Sequence, residues 1–134
     1  MIILDSSAAI AAILPSQDPA RRDAFRAALV DQPCISPALF LSETANALWK
    51  EVIHRGLAAD IAVELQSLCS VTTQIVDDQP FVAEALRIGM EHAHPVYDCI
   101  FIAMGRTMDL PILTANKKLR RKFAQDQFVE VESL

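Results

Sequence analysis

The chain opens with "MIILD", a short apolar run closed by a carboxylate, and that pattern predicts a buried first strand ending at Asp5. Ser6 or Ser7 can cap the helix that follows, "AAIAAILP", which Pro15 ends. A second helix is expected over 18–30, with Pro19 in its first turn. "PCIS" reads as a second strand, and Pro37 opens a long helix, "PALFLSETANALWKEVIHRG", closed by Gly56. On that helix Leu41, Ala45, Leu48, Trp49 and Val52 form one apolar face, with Glu43, Asn46 and Lys50 toward the other side. A further helix is expected over 58–68, a third strand at "TTQIV", and a helix over about 80–92. Pro95 precedes a helix holding Asp98, "LPILT" is a fourth strand, Asn116 caps a basic helix, and "FVEV" supplies a last strand. Strands alternating with helices predict one α/β layered domain over 1–134, with a mostly parallel central sheet flanked by helices.

The composition supports a self-sufficient core. Of 134 residues, 52% are hydrophobic and only 3 are glycine, which fits a compact domain rather than a disordered or fibrous chain. No apolar run is long enough to span a bilayer. The apolar N-terminus lacks a basic leader and carries Asp5, so it reads as strand and helix rather than a signal peptide, and a cytoplasmic location is the simplest expectation. Cys34, Cys69 and Cys99 have apolar neighbours and no metal-ligand spacing, so reduced core thiols are expected. His54, His92 and His94 lack zinc-site spacing and read as surface or helix-end residues. Tyr97 and Trp49 read as packing residues.

The net charge of −5 speaks against non-specific nucleic-acid binding, but its distribution is uneven. "NKKLRRKF" gathers Lys117, Lys118, Arg120, Arg121 and Lys122, and Arg21, Arg22 and Arg26 form a smaller group. The stretch "HPVYDCIFIAMG" raises the opposite question, because Asp98 stands alone in an apolar setting, and a buried carboxylate is expensive unless paired.

Topology suggests an answer. Ligands of open parallel sheets bind beyond the carboxyl ends of the strands, near a switch in strand order. Asp5 ends the first strand, Glu43 lies in the second turn of the helix after the second strand, and Asn116 stands just past the fourth. Asp98 does not follow a strand directly. If Asp5, Glu43 and Asp98 converge, their mutual repulsion is relieved by a hard divalent cation, Mg²⁺ or Mn²⁺. Such an ion activates water and steadies a phosphodiester's charge, and Lys117, Lys118, Arg120 and Arg121 would hold flanking phosphates. The plainer alternatives are a helix-capping Asp5, a solvated Glu43, an Asp98 favoured by its helix dipole, and an Asn116 that only caps.

At these residues the chain resembles PIN domains, most of all the small VapC-type toxins of toxin–antitoxin pairs. The resemblance rests on "MIILDSSAAIAAIL", "SETANAL" with Glu43, "HPVYDCIFIAMGR" with Asp98, and "LPILTANKKL", in that order. It implies a Rossmann-like fold and a Mg²⁺- or Mn²⁺-dependent ribonuclease using metal-activated water. Asp5, Glu43 and Asp98 match the family's acidic metal positions, and Ser6 and Thr114 match supporting polar ones. Asn116 departs from a fourth acidic position, which weakens a second metal site. The resemblance further implies an RNA substrate, a small antitoxin partner and a homodimer. The alternative is a silent scaffold that binds RNA or protein. A phosphoacceptor receiver is disfavoured because "LDSS" has one acid where that class needs two, and no Gly-rich loop suggests a nucleotide enzyme.

Overall fold

The computed structural model describes residues 1–15 and 18–131. Residues 16, 17 and 132–134 of the expected domain lie outside the described residues. The element order is β1 (Ile2–Leu4), α1 (Ser6–Ile13), α2 (Pro19–Leu29), β2 (Cys34–Pro37), α3 (Leu39–Arg55), α4 (Ala59–Thr72), β3 (Thr73–Val76), α5 (Gln79–His92), α6 (Val96–Met108), β4 (Ile112–Leu113) and α7 (Lys117–Lys122). The four strands pair in the order β3-β2-β1-β4, all parallel. The expected α/β architecture, with a parallel sheet flanked by helices, is therefore present. The "FVEV" segment is reduced to a parallel bridge between Phe128 and Ile112.

Strand order places the site. The chain steps outward from β1 to β2 to β3, then returns to add β4 on the other side of β1. The order switches between β1 and β4, so a crevice is expected where those two strands end. The register is fixed there by Ile3 opposite Ile112 and Leu4 opposite Leu113. The Asp5 N–H donates to the Leu113 carbonyl at 3.0 Å, which carries the pairing to the strand ends.

Burial explains the helices. Every residue of α6 from Cys99 to Gly105 is buried, so this helix lies in the core rather than on it. Phe101, Ile102 and Met104 are fully enclosed, and each such side chain contributes about 1.5–3 kcal/mol when buried. The alanines of α1 at 8, 9, 11 and 12 are buried, and their small size lets that helix approach its neighbours closely. Gly56 ends α3 at φ +74, as its sequence position predicts, and Asp18, expected within α2, instead caps it by accepting from the Ala20 N–H. The cysteines are free and buried, also as expected.

The face of α3 differs from expectation. Phe40, Thr44 and Leu48 are its buried residues, whereas Trp49 is 55% exposed. Thr44 is accommodated because its hydroxyl donates to the Phe40 carbonyl at 2.9 Å, so a polar residue sits where the apolar count placed none. The shift brings Glu43 half inside. Tyr97 is also exposed, so neither aromatic belongs to the core, although the Trp49 ring lies edge-on to His54 with centroids 6.2 Å apart.

Candidate functional site

Asp5 sits at the N-cap position of α1 and is buried. Its Oδ2 accepts from the Ser7 hydroxyl at 2.7 Å and from the Thr114 hydroxyl at 2.5 Å. Each hydroxyl has one proton, and both point at Asp5, so the 3.1 Å approach of Ser7 to Thr114 adds no further bond in that arrangement. The hydroxyl oxygens are themselves positioned from the β4–α7 turn. The Ala115 N–H donates to Ser7 Oγ at 2.9 Å, and the Asn116 N–H donates to Thr114 Oγ1 at 3.1 Å. Burial raises the Asp5 pKa, the two hydroxyls pull it back, and the Asp98 charge raises it again.

Glu43 faces Asp5 from α3. The Ser6 hydroxyl donates to Glu43 Oε1 at 2.8 Å. Burial pushes the Glu43 carboxyl up to about 7, opposed by the Ser6 bond and reinforced by Asp5, Asp98 and Asp78. Asp78 caps α3 from a distance: the Leu39 N–H lies 3.2 and 3.1 Å from its two carboxylate oxygens. The local residue there, Ala38, offers no capping side chain.

Asp98 lies in the first turn of α6 but caps nothing; Pro95 holds the N-cap position. Its Oδ2 is 2.8 Å from Nε2 of His94, whose side chain is only 3% exposed against 28% for Asp98. His94 is thus a buried partner of the acidic site rather than a surface residue. His92 is half-buried against Phe123, and His54 is exposed.

Asp5, Glu43 and Asp98 influence one another electrostatically, and the Ser6 and Ser7 hydroxyls bond Glu43 and Asp5 from adjacent positions. Among the described residues, no Lys or Arg forms an ion pair with any of them. Nor do three or more His, Cys, Asp or Glu side chains form a ready ligand cluster there. The type of the groups, carboxylate and hydroxyl oxygen, suits a hard cation better than zinc. Mg²⁺ keeps several waters and needs only one or two carboxylates, whereas zinc wants a closed nitrogen and sulfur shell. The donors are all oxygen, the His94 Nε2 is taken by Asp98, and Glu43 Oε2 and Asp98 Oδ1 have no hydrogen-bond partner among the described residues.

Asn116 stands at the rim and caps α7, its Oδ1 accepting from the Leu119 N–H at 3.1 Å. Lys117, Lys118 and Arg121 of α7 are exposed. Arg120 is not free: it donates to the Val129 carbonyl at 2.9 Å, pairs with Glu130 and lies over the Phe128 ring. Lys122 reaches the Ala93 carbonyl. Two of the three α2 arginines are also structural, Arg21 donating to the Ala115 carbonyl and Arg26 to the Ala12 carbonyl.

A cleft of about 300 Å³ opens beside Glu43, lined by Ser6, Ser7, Asn46 and Lys50 among others, and neither Asp5 nor Asp98 lines it. A larger, apolar cavity of about 480 Å³ lies elsewhere, between α1, α2 and α4, and holds none of the three acids. Sequence reasoning missed Ser7 as an Asp5 donor, and it missed Asp78 and His94. Ser7 had a signal, because two adjacent hydroxyls after a strand-end acid can serve two carboxylates. His94 had only its four-residue spacing from Asp98.

A family model described as PIN domain matches residues 2–123. No curated protein matches. The chain is similar in structure to PAE2754 from Pyrobaculum aerophilum, with TM-score 0.73 and 22% identity over 98% of this chain and 90% of that one. It is also similar to Mycobacterium tuberculosis VapC20, described as a sarcin-ricin loop cleaving toxin, with TM-score 0.71 and 18% identity over 98% of both chains. A toxin–antitoxin complex from Klebsiella pneumoniae gives TM-score 0.63 and 17% identity over 90% of both chains. At these identities the likeness is one of fold.

Proposed function

The chain belongs to the PIN-domain family, and from that premise we propose that it is a divalent-metal-dependent endoribonuclease, the toxin of a toxin–antitoxin pair. The observation that carries this reading is that the adjacent hydroxyls of Ser6 and Ser7 bond Glu43 and Asp5 while Asp98 acts on both acids electrostatically, with no Lys or Arg paired to any of the three among the described residues. Carboxylates gathered at such an energetic cost are explained by a cation that spends its time there.

Asp5, Glu43 and Asp98 would hold Mg²⁺ or Mn²⁺. When bound, the ion supplies a water of lowered pKa and charge stabilisation at the phosphodiester. The chain's own residues do the placing. Ser7 and Thr114 fix the Asp5 carboxylate, and Ser6 fixes Glu43. Lys117, Lys118 and Arg121 would take phosphates on either side of the scissile one.

The partners are read from two sources. The similar Klebsiella structure is a toxin–antitoxin complex, and the apolar cavity between α1, α2 and α4 offers an antitoxin segment a place to bury nonpolar side chains. Val82, Leu86 and Met90 leave an exposed apolar stripe on α5, which supports a homodimer. No helix among the described residues is long and apolar enough to cross a membrane. The second reading, a silent PIN scaffold that binds RNA or protein, is favoured only by Asn116, whose amide caps α7 where an acid would add charge.

The test is cleavage by the partner-free protein of a panel of structured RNAs, a sarcin-ricin-loop hairpin included, in Mg²⁺, Mn²⁺ or EDTA. Metal-dependent cleavage that Asp5→Ala abolishes is expected. Absence of both cleavage and Mn²⁺ binding favours the silent scaffold.

A further inference from the structure

The link between α5 and α6 is built to deliver one imidazole to the acidic site. Ala93 takes a left-handed conformation at φ 51, and the His94 N–H then donates to the Gly89 carbonyl at 3.0 Å. The His94 carbonyl passes so close to Gly89 that a Cβ there would meet it at 2.8 Å, so only glycine fits. The ring is held edge-on by Phe123, with centroids 5.6 Å apart. Phe123 follows α7 directly, and Lys122 ties the same turn by its bond to the Ala93 carbonyl.

Hydrogen-bond accounting then orients the ring. Nδ1 is buried and has no partner among the described residues. A proton there would be a buried donor without an acceptor, which is costly, so the proton belongs on Nε2. Nε2–H therefore donates to Asp98 Oδ2 at 2.8 Å and leaves Oδ1 without a partner among the described residues. We propose that His94 is a positioning residue that pins one oxygen of Asp98 so that the other faces the divalent ion. This inference rests on the metal-site reading above. It assigns to an unligated histidine the orienting role that partners of ligating carboxylates play.

The experiment is calorimetric titration of the ion-free protein with Mn²⁺, which reads binding without RNA. His94→Leu keeps apolar bulk against Phe123 but removes the donor, and it is expected to weaken Mn²⁺ binding about 10- to 100-fold. His94→Gln keeps an N–H at similar reach and is expected to stay nearer the wild type than His94→Leu. In an Asp98→Asn background, His94→Leu should add no further loss. A merely structural histidine would lower the melting temperature and leave the affinity of folded protein unchanged. Wild-type affinity in folded His94→Leu, or a full additional loss beside Asp98→Asn, overturns the proposal.

A measurement on the wild type covers the case in which His94→Leu does not fold. Nitrogen NMR of the histidine rings is expected to show His94 protonated on Nε2 and shifted by saturating Mg²⁺. An Nδ1–H ring, or one indifferent to the ion, overturns it. Failure of the wild type to bind Mn²⁺ at all overturns the metal-site reading, and this inference with it; binding that ignores His94 overturns only the latter.

Discussion

Thr114 donates its hydroxyl to Asp5 across 109 positions of sequence, joining the end of β4 to the end of β1. The bond closes the switch point of the sheet and stabilises a carboxylate that burial alone would drive toward its neutral form. Thr114→Val preserves shape and removes that donor, along with the acceptor used by the Asn116 N–H. The expected cost is about 1–3 kcal/mol, read as a lower urea midpoint, with weaker Mn²⁺ binding. Thr114→Ser should recover most of both. An unchanged midpoint and affinity in Thr114→Val would mean that the hydroxyl does not hold Asp5.

Asp98→Asn is expected to separate fold from chemistry. The asparagine oxygen can still accept from His94 Nε2, so the α5–α6 turn keeps its closing bond. The charge is lost, and with it the ion. The melting temperature in EDTA should stay close to that of the wild type, while Mn²⁺ affinity and metal-dependent cleavage fall sharply. Undiminished Mn²⁺ affinity would remove Asp98 from the site.

The raised pKa of Glu43 sets a pH dependence with a definite sign. Its ordinary value is 4.5 and burial pushes it to about 7, so between those limits the folded chain binds more protons than the unfolded one. That contribution to ion-free stability is fully present below the lower value and is lost as pH rises through the upper one. Asp5 is raised in the same direction. The melting temperature in EDTA should therefore fall from about pH 5 to about pH 8, and Mg²⁺ should restore more of it at the higher pH. Mn²⁺ binding at about pH 6 should release close to one proton, detectable by repeating the titration in buffers of different ionisation enthalpy. A flat profile with no proton release would show that Glu43 is ionised before the metal arrives.

Asn116 tests how many carboxylates the site needs. Its Oδ1 caps α7, so Asn116→Ala should cost about 1 kcal/mol of stability and leave Mn²⁺ affinity nearly unchanged. Asn116→Asp keeps a capping oxygen and adds charge, so it should hold stability and tighten Mn²⁺ binding. Loss of Mn²⁺ binding in a folded Asn116→Ala protein would instead make the amide a ligand.

The elements were legible because hydrophobic spacing and punctuation agreed along the chain. Pro19, Gly56 and Asn116 mark helix ends where the structure has them. Asp5 and Glu43 could be assigned to one edge because parallel topology alone puts strand ends and the following helix starts together. What failed were residues whose burial depends on a distant partner. Thr44 is inside because its hydroxyl bonds back to Phe40, and an apolar count passes over it in favour of Trp49. His94 reads as polar in sequence, yet Asp98 and Phe123 together make a buried place for it. Asp78 stands at the N-cap position of α5, yet its carboxylate serves α3, a pairing that spans 39 positions and leaves no local signal.

The basic run divides by the same logic, and the division predicts which cations reach RNA. Arg120 is occupied by the Val129 carbonyl and Glu130, whereas Lys117, Lys118 and Arg121 are exposed. Each phosphate neutralised on a single strand contributes about 0.7 to the slope of log affinity against log salt. Replacing Lys117, Lys118 and Arg121 together with glutamine should therefore lower that slope by about 2 and weaken binding to all RNAs alike, without changing the melting temperature. Arg120→Gln should do the reverse: it leaves the Val129 carbonyl without its donor and lowers stability, but the salt slope stays. Fluorescence anisotropy across a salt series, in Ca²⁺ or with Asp5→Ala to prevent cleavage, separates the two. If Arg120→Gln alone flattens the slope, Arg120 must leave Glu130 for phosphate when RNA binds, and the exposed lysines are a solvated helix face.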